Sequence, residues 1–284
     1  MAGIGFRLRE FVDAGTYIGE MKGYAFAILI CAGPWLITVA ALGLISTLGS
    51  RLQADLALFQ VSLVYTYAFS LIISGLFQFT ITRYMADKIF ARDRSAQLPT
   101  LMGALSLLIV IQLPLAILFY AKIQATAAFR LAGITLFMTI GAIWLTLVFL
   151  GVVRAYMRII HCFVIGSAVS VLGTLGAGFV YRSPGALLWG FTLGQFVLLA
   201  GLLGTLLAEF EIGSGPDYAF LEYYRRYPYL APCGVLFYLG TWTDEMLYWF
   251  AGPGRQAAPE WFYVYNPYDV AGFLAQLTTL PAVA

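Results

Sequence analysis

"ALFQVSLVYTYAFSLIISGLFQFTIT", residues 57–82, is a long stretch without a single charged side chain. The hydrocarbon core of a bilayer is about 30 Å thick and takes roughly 20 apolar residues of helix. In lipid, an α-helix satisfies its own backbone hydrogen bonds, which an irregular segment cannot do. Residues 57–82 therefore predict a helix that crosses a membrane.

Stretches of the same kind recur along the whole 284-residue chain. Its composition is 61% hydrophobic and only 11% charged, whereas an ordinary soluble domain carries about 25% charged residues. Complete spans are predicted at about 23–48, 57–82, 99–121, 131–153, 160–181, 185–209 and 229–250, and a further span begins near Tyr268. The connections between them are too short to hold a soluble catalytic domain. We expect an all-α, polytopic transmembrane helix bundle.

The predicted spans group into two bundles. Residues 23–209 form a first bundle of six helices, 210–228 form a cytoplasmic connection, and 229–284 begin a second, incomplete bundle. The N-terminal tail and the second, fourth and sixth connections carry most of the 16 Lys and Arg residues. Positive residues favour the cytoplasmic side, so the N-terminus is predicted to be cytoplasmic. Residues 1–22 form either a helix in the membrane interface or a simple tail.

Polar residues in the second span follow helical spacing. Tyr67, Ser70, Ser74, Gln78 and Thr82 share one helix face. Lipid cannot satisfy hydroxyl and amide groups, so this stripe is expected to face protein or a wet cavity. Two interpretations remain open: hydrogen bonding between packed helices, or the lining of a translocation path whose cytoplasmic mouth is flanked by Arg83.

Glycine and proline suggest where helices pack and bend. Small residues on one face allow close helix approach, and the sixth span has such a face in Gly190, Gly194, Gly201 and Gly204. In the first span, Pro34 follows Gly33 and removes a helical hydrogen bond. This pair is either a structural bend or a hinge of a transporter.

Asp244 and Glu245 lie side by side in the apolar stretch 240–250. An acid in mid-membrane costs roughly 2.5–3.5 kcal/mol on insertion scales. Adjacent residues of a helix point in different directions. Asp244 shares its face with Gly240 and is predicted to face a cavity on the translocation path, whereas Glu245 shares its face with Trp242. The alternative is that both acids reach the outer headgroups of a tilted helix.

Other chemistry has little support in the sequence. The three cysteines are odd in number and lack CxxC spacing, which argues against a disulfide frame or a metal site. His161 is the only histidine, and Lys and Arg are spread among short loops rather than clustered for nucleic acid. We expect no cofactor, no metal, no catalytic residue and no nucleic-acid partner.

Several segments resemble the PelG family of exopolysaccharide transporters. They are "MAGIGFRLRE" (1–10), "AGPW" (32–35), "SGLFQFTITRYMADKIF" (74–90) and "YNPYDVAGFLAQLTTLPAVA" (265–284). The resemblance implies a relative of the polysaccharide flippases of the MATE-like superfamily, which have twelve helices in two six-helix bundles. Members of the family are longer, so this chain is expected to be truncated or a fragment.

The resemblance also implies a function and partners. It predicts an inner-membrane exporter or flippase component for Pel, a cationic amino-sugar polymer of the bacterial biofilm matrix. The implied partners are membrane lipids, the polysaccharide, other Pel inner-membrane proteins, a cytoplasmic glycosyltransferase and a cyclic-di-GMP receptor. The first alternative is a non-transporting scaffold for a polysaccharide synthase complex. The second, with less support, is an integral-membrane glycosyl or acyl transferase. An enzyme is not expected.

Overall fold

The computed structural model describes residues 17–51, 56–151, 155–210, 215–252 and 255–283. Within them the chain forms α1 (Tyr17–Arg51), α2 (Ala57–Phe90), α3 (Gln97–Ala121), α4 (Ala127–Leu150), α5 (Tyr156–Tyr181), α6 (Pro184–Glu209), a 3-10 turn (Ala219–Leu221), α7 (Glu222–Arg226), α8 (Leu230–Phe250) and α9 (Asn266–Val283). Two short antiparallel strands, β1 (Gln256–Ala257) and β2 (Tyr263–Val264), precede α9. Helices α1 to α6 are long and apolar enough to cross a membrane. The predicted all-α transmembrane bundle is confirmed.

Some helix boundaries differ from the predicted spans. Helix α2 continues to Phe90 rather than stopping near residue 82. In this charged end Arg83 and Asp87, one turn apart, form an ion pair at 3.1 Å that adds a small stabilisation to the helix. Helix α1 begins at Tyr17, within the predicted tail, and residues 1–16 lie outside the described part.

Helix α8 differs in composition from α1 to α6. Its 21 residues span about 31 Å, enough for a bilayer core. It is nevertheless not among the six helices that are apolar enough to cross, because it contains Asp244 and Glu245 beside several hydroxyl-bearing residues. The division into two bundles stays a prediction.

Helices α2 and α4 lie at the centre of the bundle. Helix α2 packs on α4 and α8, α4 also packs on α3 and α6, and α1 packs on α5. In their membrane-length windows 56% of α2 and 61% of α4 are buried, against 28% for α1. Among the described residues α1 and α2 are not one of the closely packed helix pairs, and a cavity lies between them.

Helices α5 and α6 make the most extensive helix pair. A Cβ atom placed on Gly173 would lie 2.6 Å from the carbonyl oxygen of Gly190, so the two backbones approach closely. Gly194 and Gly201 also lie against α5, whereas Gly204 has no neighbouring atom within 4 Å. Three of the four glycines of the predicted small-residue face thus lie at this contact.

The bundle has an inner end, on the predicted cytoplasmic side, and an outer end on the opposite side. The inner end holds the 91–96 connection between α2 and α3, and the outer end holds the 122–126 connection between α3 and α4. The segment 215–228 covers part of the inner end, where Phe220 is fully buried. The segment 255–265 covers part of the outer end.

Candidate functional site

A cavity of about 740 Å³ opens between α1 and α2. Residues of α1, α2, α4, α5, α6 and α8 line it, among them the tryptophans Trp35, Trp144 and Trp242. The lining is overwhelmingly apolar, and none of its described residues carries a charge. This size is typical of small-molecule sites, but the lining offers few polar contacts.

The outer part of the predicted polar stripe forms hydrogen bonds to other helices. Tyr67 lines the cavity, and its hydroxyl donates to Gln195 Oε1 over 3.4 Å. Gln195 Nε2 in turn donates to Ser170 Oγ over 3.1 Å. The indole of Trp144 donates to Ser70 Oγ over 3.2 Å. These bonds tie α2 to α4 and α6, and α6 to α5.

The inner part of the stripe meets α8 and then becomes exposed. Gln78 Nε2 donates to Ser74 Oγ over 2.7 Å, and Tyr238 of α8 donates its hydroxyl to Gln78 Oε1 over 2.5 Å. Thr82 and Arg83 are exposed at the inner end. The structure therefore does not bring the stripe into one cavity. It places Tyr67 at the cavity, Ser70, Ser74 and Gln78 between helices, and Thr82 at the surface beside Arg83.

The contact between α2 and α8 depends on two glycines that sequence reasoning missed. A Cβ atom on Gly75 would lie 2.8 Å from the carbonyl oxygen of Gly234, so the two backbones nearly touch. The signal available in the sequence was Gly75 beside the polar stripe. Nothing in the sequence indicated that its partner is Gly234, on a helix far along the chain.

The acids of α8 lie away from the cavity. Asp244 is exposed and accepts a hydrogen bond from the hydroxyl of Tyr268 over 2.5 Å. Helix α8 contributes Trp242 to the cavity lining instead. Glu245 is half-buried, and its Oε2 atom is enclosed without a hydrogen-bond partner among the described residues. The role of Asp244 in translocation stays a prediction, but Asp244 is not among the residues that line the 740 Å³ cavity.

The predicted hinge lies at the cavity wall. Gly33 is buried and Pro34 lines the cavity. Helix α1 runs on through both residues, and Thr38 Oγ1 donates to the carbonyl oxygen of Pro34 over 2.9 Å. Whether this segment acts as a hinge stays a prediction.

An aromatic cluster closes the outer end of the bundle. Tyr65 stacks on Trp249 with ring centres 4.7 Å apart and meets Phe262 edge-on at 4.8 Å. The hydroxyl of Tyr65 donates to the carbonyl oxygen of Tyr263 over 2.9 Å. The segment 255–265 is thus anchored on α2 and α8.

Tyrosines hold the 215–228 segment on the inner end. Tyr84 donates its hydroxyl to Asp217 over 3.3 Å, and Tyr223 donates to Asp87 over 2.9 Å. Tyr224 donates to the carbonyl oxygen of Leu76 over 2.9 Å. Burial raises the pKa of Tyr224 to about 12, which moves it still further above neutral pH and keeps its hydroxyl a donor.

A metal site does not emerge from these contacts. Within the described ranges no three His, Cys, Asp or Glu side chains come together as metal ligands. Membrane-length helices packed around an uncharged cavity define the class as a multi-pass α-helical membrane protein.

Comparison with protein-family models assigns the chain more narrowly than this class. The family model "PelG: Putative exopolysaccharide Exporter (EPS-E)" matches residues 1–284. The chain belongs to the PelG family. Comparison with curated proteins and with solved structures gave no match.

Proposed function

We propose that the chain is a component of an inner-membrane exporter that moves the Pel exopolysaccharide across the cytoplasmic membrane. The family match along residues 1–284 is the observation that carries this function. The six membrane-length helices among the described residues fit transport. A non-enzymatic role is part of the same proposal, because the matching family is one of exporters. Pel as the substrate and a flippase-like mechanism come from the resemblance of the sequence motifs.

The polymer path is proposed along α8 and the inner end of α2, outside the apolar cavity. Thr82 and Arg83 are exposed at the inner end, and Asp244 is exposed in the outer half of α8. A carboxylate at Asp244 suits a cationic amino sugar, because opposite charges attract each other. The cavity between α1 and α2 offers no charged residue to such a polymer.

Rocking of helices around this path would give alternating access. The aromatic cluster at the outer end and the tyrosine contacts at the inner end would be the contacts that open in turn. Gly33 and Pro34 of α1 are the proposed hinge. These movements follow from the exporter function and are part of the same proposal.

An export assay in the host cell tests the function and the path separately. Deleting the gene should abolish secreted polymer, and normal secretion by the deletion strain contradicts the export function. Asp244→Asn should lower secretion severely at an unchanged membrane level of the protein, while Asp244→Glu, which keeps the charge, retains most of it. Equal secretion by both variants and the wild type removes Asp244 from the path without affecting the export function.

Partners are proposed at the inner end. They are the other Pel inner-membrane proteins, the cytoplasmic glycosyltransferase and the cyclic-di-GMP receptor. Helix α7 (Glu222–Arg226) packs Tyr223 and Tyr224 against the bundle and leaves Glu222, Arg225 and Arg226 exposed on the predicted cytoplasmic side. These exposed charges also favour the second candidate function, a non-transporting scaffold. If the protein is a scaffold, a variant with the charges of α7 reversed should no longer co-purify with the synthase. Purified wild-type protein should then show no transport in vesicles.

A further inference from the structure

The chemistry of the cavity between α1 and α2 differs from that of a sugar site. A sugar brings many hydroxyl groups, each of which needs a hydrogen-bond partner when water is excluded. Deep in this cavity the polar lining groups are already engaged. Thr38 donates to its own helix, Tyr67 donates to Gln195, and the indole of Trp144 donates to Ser70. Little remains to satisfy a saccharide.

The same lining suits a hydrocarbon chain. Apolar side chains of α1, α2 and α4 make up most of the wall, for example Leu42, Leu63 and Ile143. Apolar cavities stay dry, and an unfilled void of this size loses the packing contacts of every group around it. In a membrane protein, the apolar material at hand is lipid.

The cavity also opens where a lipid can reach it. Among its lining residues, Gly43 of α1 and Gln60 and Val64 of α2 are exposed. They form a mouth between two helices that, among the described residues, are not closely packed on each other. Gln60, with Ser46 nearby on the lining of α1, supplies polar groups at the outer end of the cavity.

The length of the cavity matches one leaflet. Its lining on α1 runs from Pro34 to Ser46, about 18 Å by the rise of a helix. One leaflet contributes about half of the roughly 30 Å hydrocarbon core. We infer that the cavity holds one acyl chain of a phospholipid from the outer leaflet, with its polar end near Gln60. A lipid at this place is independent of what the protein exports.

Fluorescence quenching by brominated acyl chains tests this directly. The full chain is reconstituted in bilayers of phospholipid brominated at mid-chain, in variants that keep one tryptophan and have Phe at the other five. Trp189, which is 41% exposed, reports lipid at the protein surface, and Trp249, 1% exposed in the aromatic cluster, reports a position without lipid. Trp144 in the cavity should be quenched about as strongly as Trp189. Quenching at the low level of Trp249 overturns the inference and is the result expected for a cavity filled with sugar or water.

A matched pair of glycine substitutions locates the lipid. A Cβ atom on Gly43, at the mouth, or on Gly204, away from the cavity, would meet no atom within 4 Å, so both positions have space for a larger side chain. Gly43→Phe should restore the fluorescence of Trp144, and Gly204→Phe should leave it quenched. Equal quenching in the two variants overturns the inference.

Native mass spectrometry gives the second measurement with all tryptophans in place. Wild type and Gly204→Phe should retain a bound phospholipid after extensive detergent exchange, and Gly43→Phe should lose it. Loss of all phospholipid from the wild type, or equal retention by Gly43→Phe, contradicts the inference.

Discussion

Gln78 shows how a polar side chain is accommodated inside a membrane helix. Its amide nitrogen donates to Ser74 one turn earlier on the same helix, and its amide oxygen accepts from Tyr238 of α8. Each side of the amide therefore has a partner, one local and one from a distant part of the chain. The distant bond is the one that joins two helices.

Removal of this bond should weaken the attachment of α8. Tyr238→Phe leaves the Gln78 oxygen without its donor at a half-buried site, at a cost of about 1 kcal/mol. The measurement is thermal unfolding of the purified protein in detergent. Tyr229→Phe removes the hydroxyl of a residue that is 80% exposed and should leave the unfolding temperature unchanged. Equal behaviour of the two variants would show that the Gln78 bond does not contribute.

Asp93 gives the inner end a pH dependence. The hydrogen bond from Lys88 Nζ at 2.9 Å, and then that from Ser95, hold the pKa of Asp93 below its ordinary value. The stabilisation is complete above the unfolded pKa of about 3.9 and is lost as the pH falls through the lower folded pKa.

Asp93→Asn should therefore lower stability at pH 7 and have no effect well below pH 3. The pair is partly exposed, so the difference at neutral pH should be about 0.2–1 kcal/mol. Unfolding temperatures of wild type and variant across this pH range measure it. A difference that stays constant with pH would assign the effect to another cause.

At the scale of elements, α8 carries two glycines in opposite environments. Gly234 meets the backbone of α2 at Gly75, whereas a Cβ atom on Gly240 would have no neighbour within 4 Å. The same substitution at the two positions should therefore have opposite effects.

Gly234→Ala should destabilise the protein by about 1–3 kcal/mol, because α2 and α8 must move apart. Gly240→Ala should be neutral or stabilise by up to about 1 kcal/mol through helix propensity. Thermal unfolding in detergent compares them. If both variants gain stability, the close approach of the two helices is not a stabilising contact.

Local sequence patterns predicted the helices better than they predicted which helices pack on each other. The apolar stretches were enough for six membrane-length helices, because hydrophobic length is a property of each segment alone. The polar stripe on α2 was also visible as a helix face. Its partners were not, because Gln195 and Tyr238 come from helices whose positions depend on packing. The helix face of Asp244 predicts a cavity-facing acid, which stays a prediction; the residue that α8 contributes to the cavity between α1 and α2 is Trp242.

At the scale of the whole molecule, the orientation in the membrane is testable. Ser95 lies in the connection at the inner end and Gln256 in the segment at the outer end, and both are exposed. In a background without the three native cysteines, Gln256→Cys should react with an impermeant maleimide in spheroplasts. Ser95→Cys should react only after the membrane is permeabilised. The reverse pattern would place the N-terminus outside the cytoplasm.

The Gln78–Tyr238 bond joins residues 160 positions apart, which sets a delay during biosynthesis. At about 5–20 residues per second, the ribosome adds Tyr238 roughly 8–30 s after Gln78. During that interval α2 is already synthesised, but the amide oxygen of Gln78 lacks its donor because α8 is not yet made. Ser74 is available from the start, since it lies one turn away on the same helix. We expect the local Ser74 bond to satisfy the amide nitrogen in the nascent protein, and the amide oxygen to gain its protein donor only when α8 packs on α2.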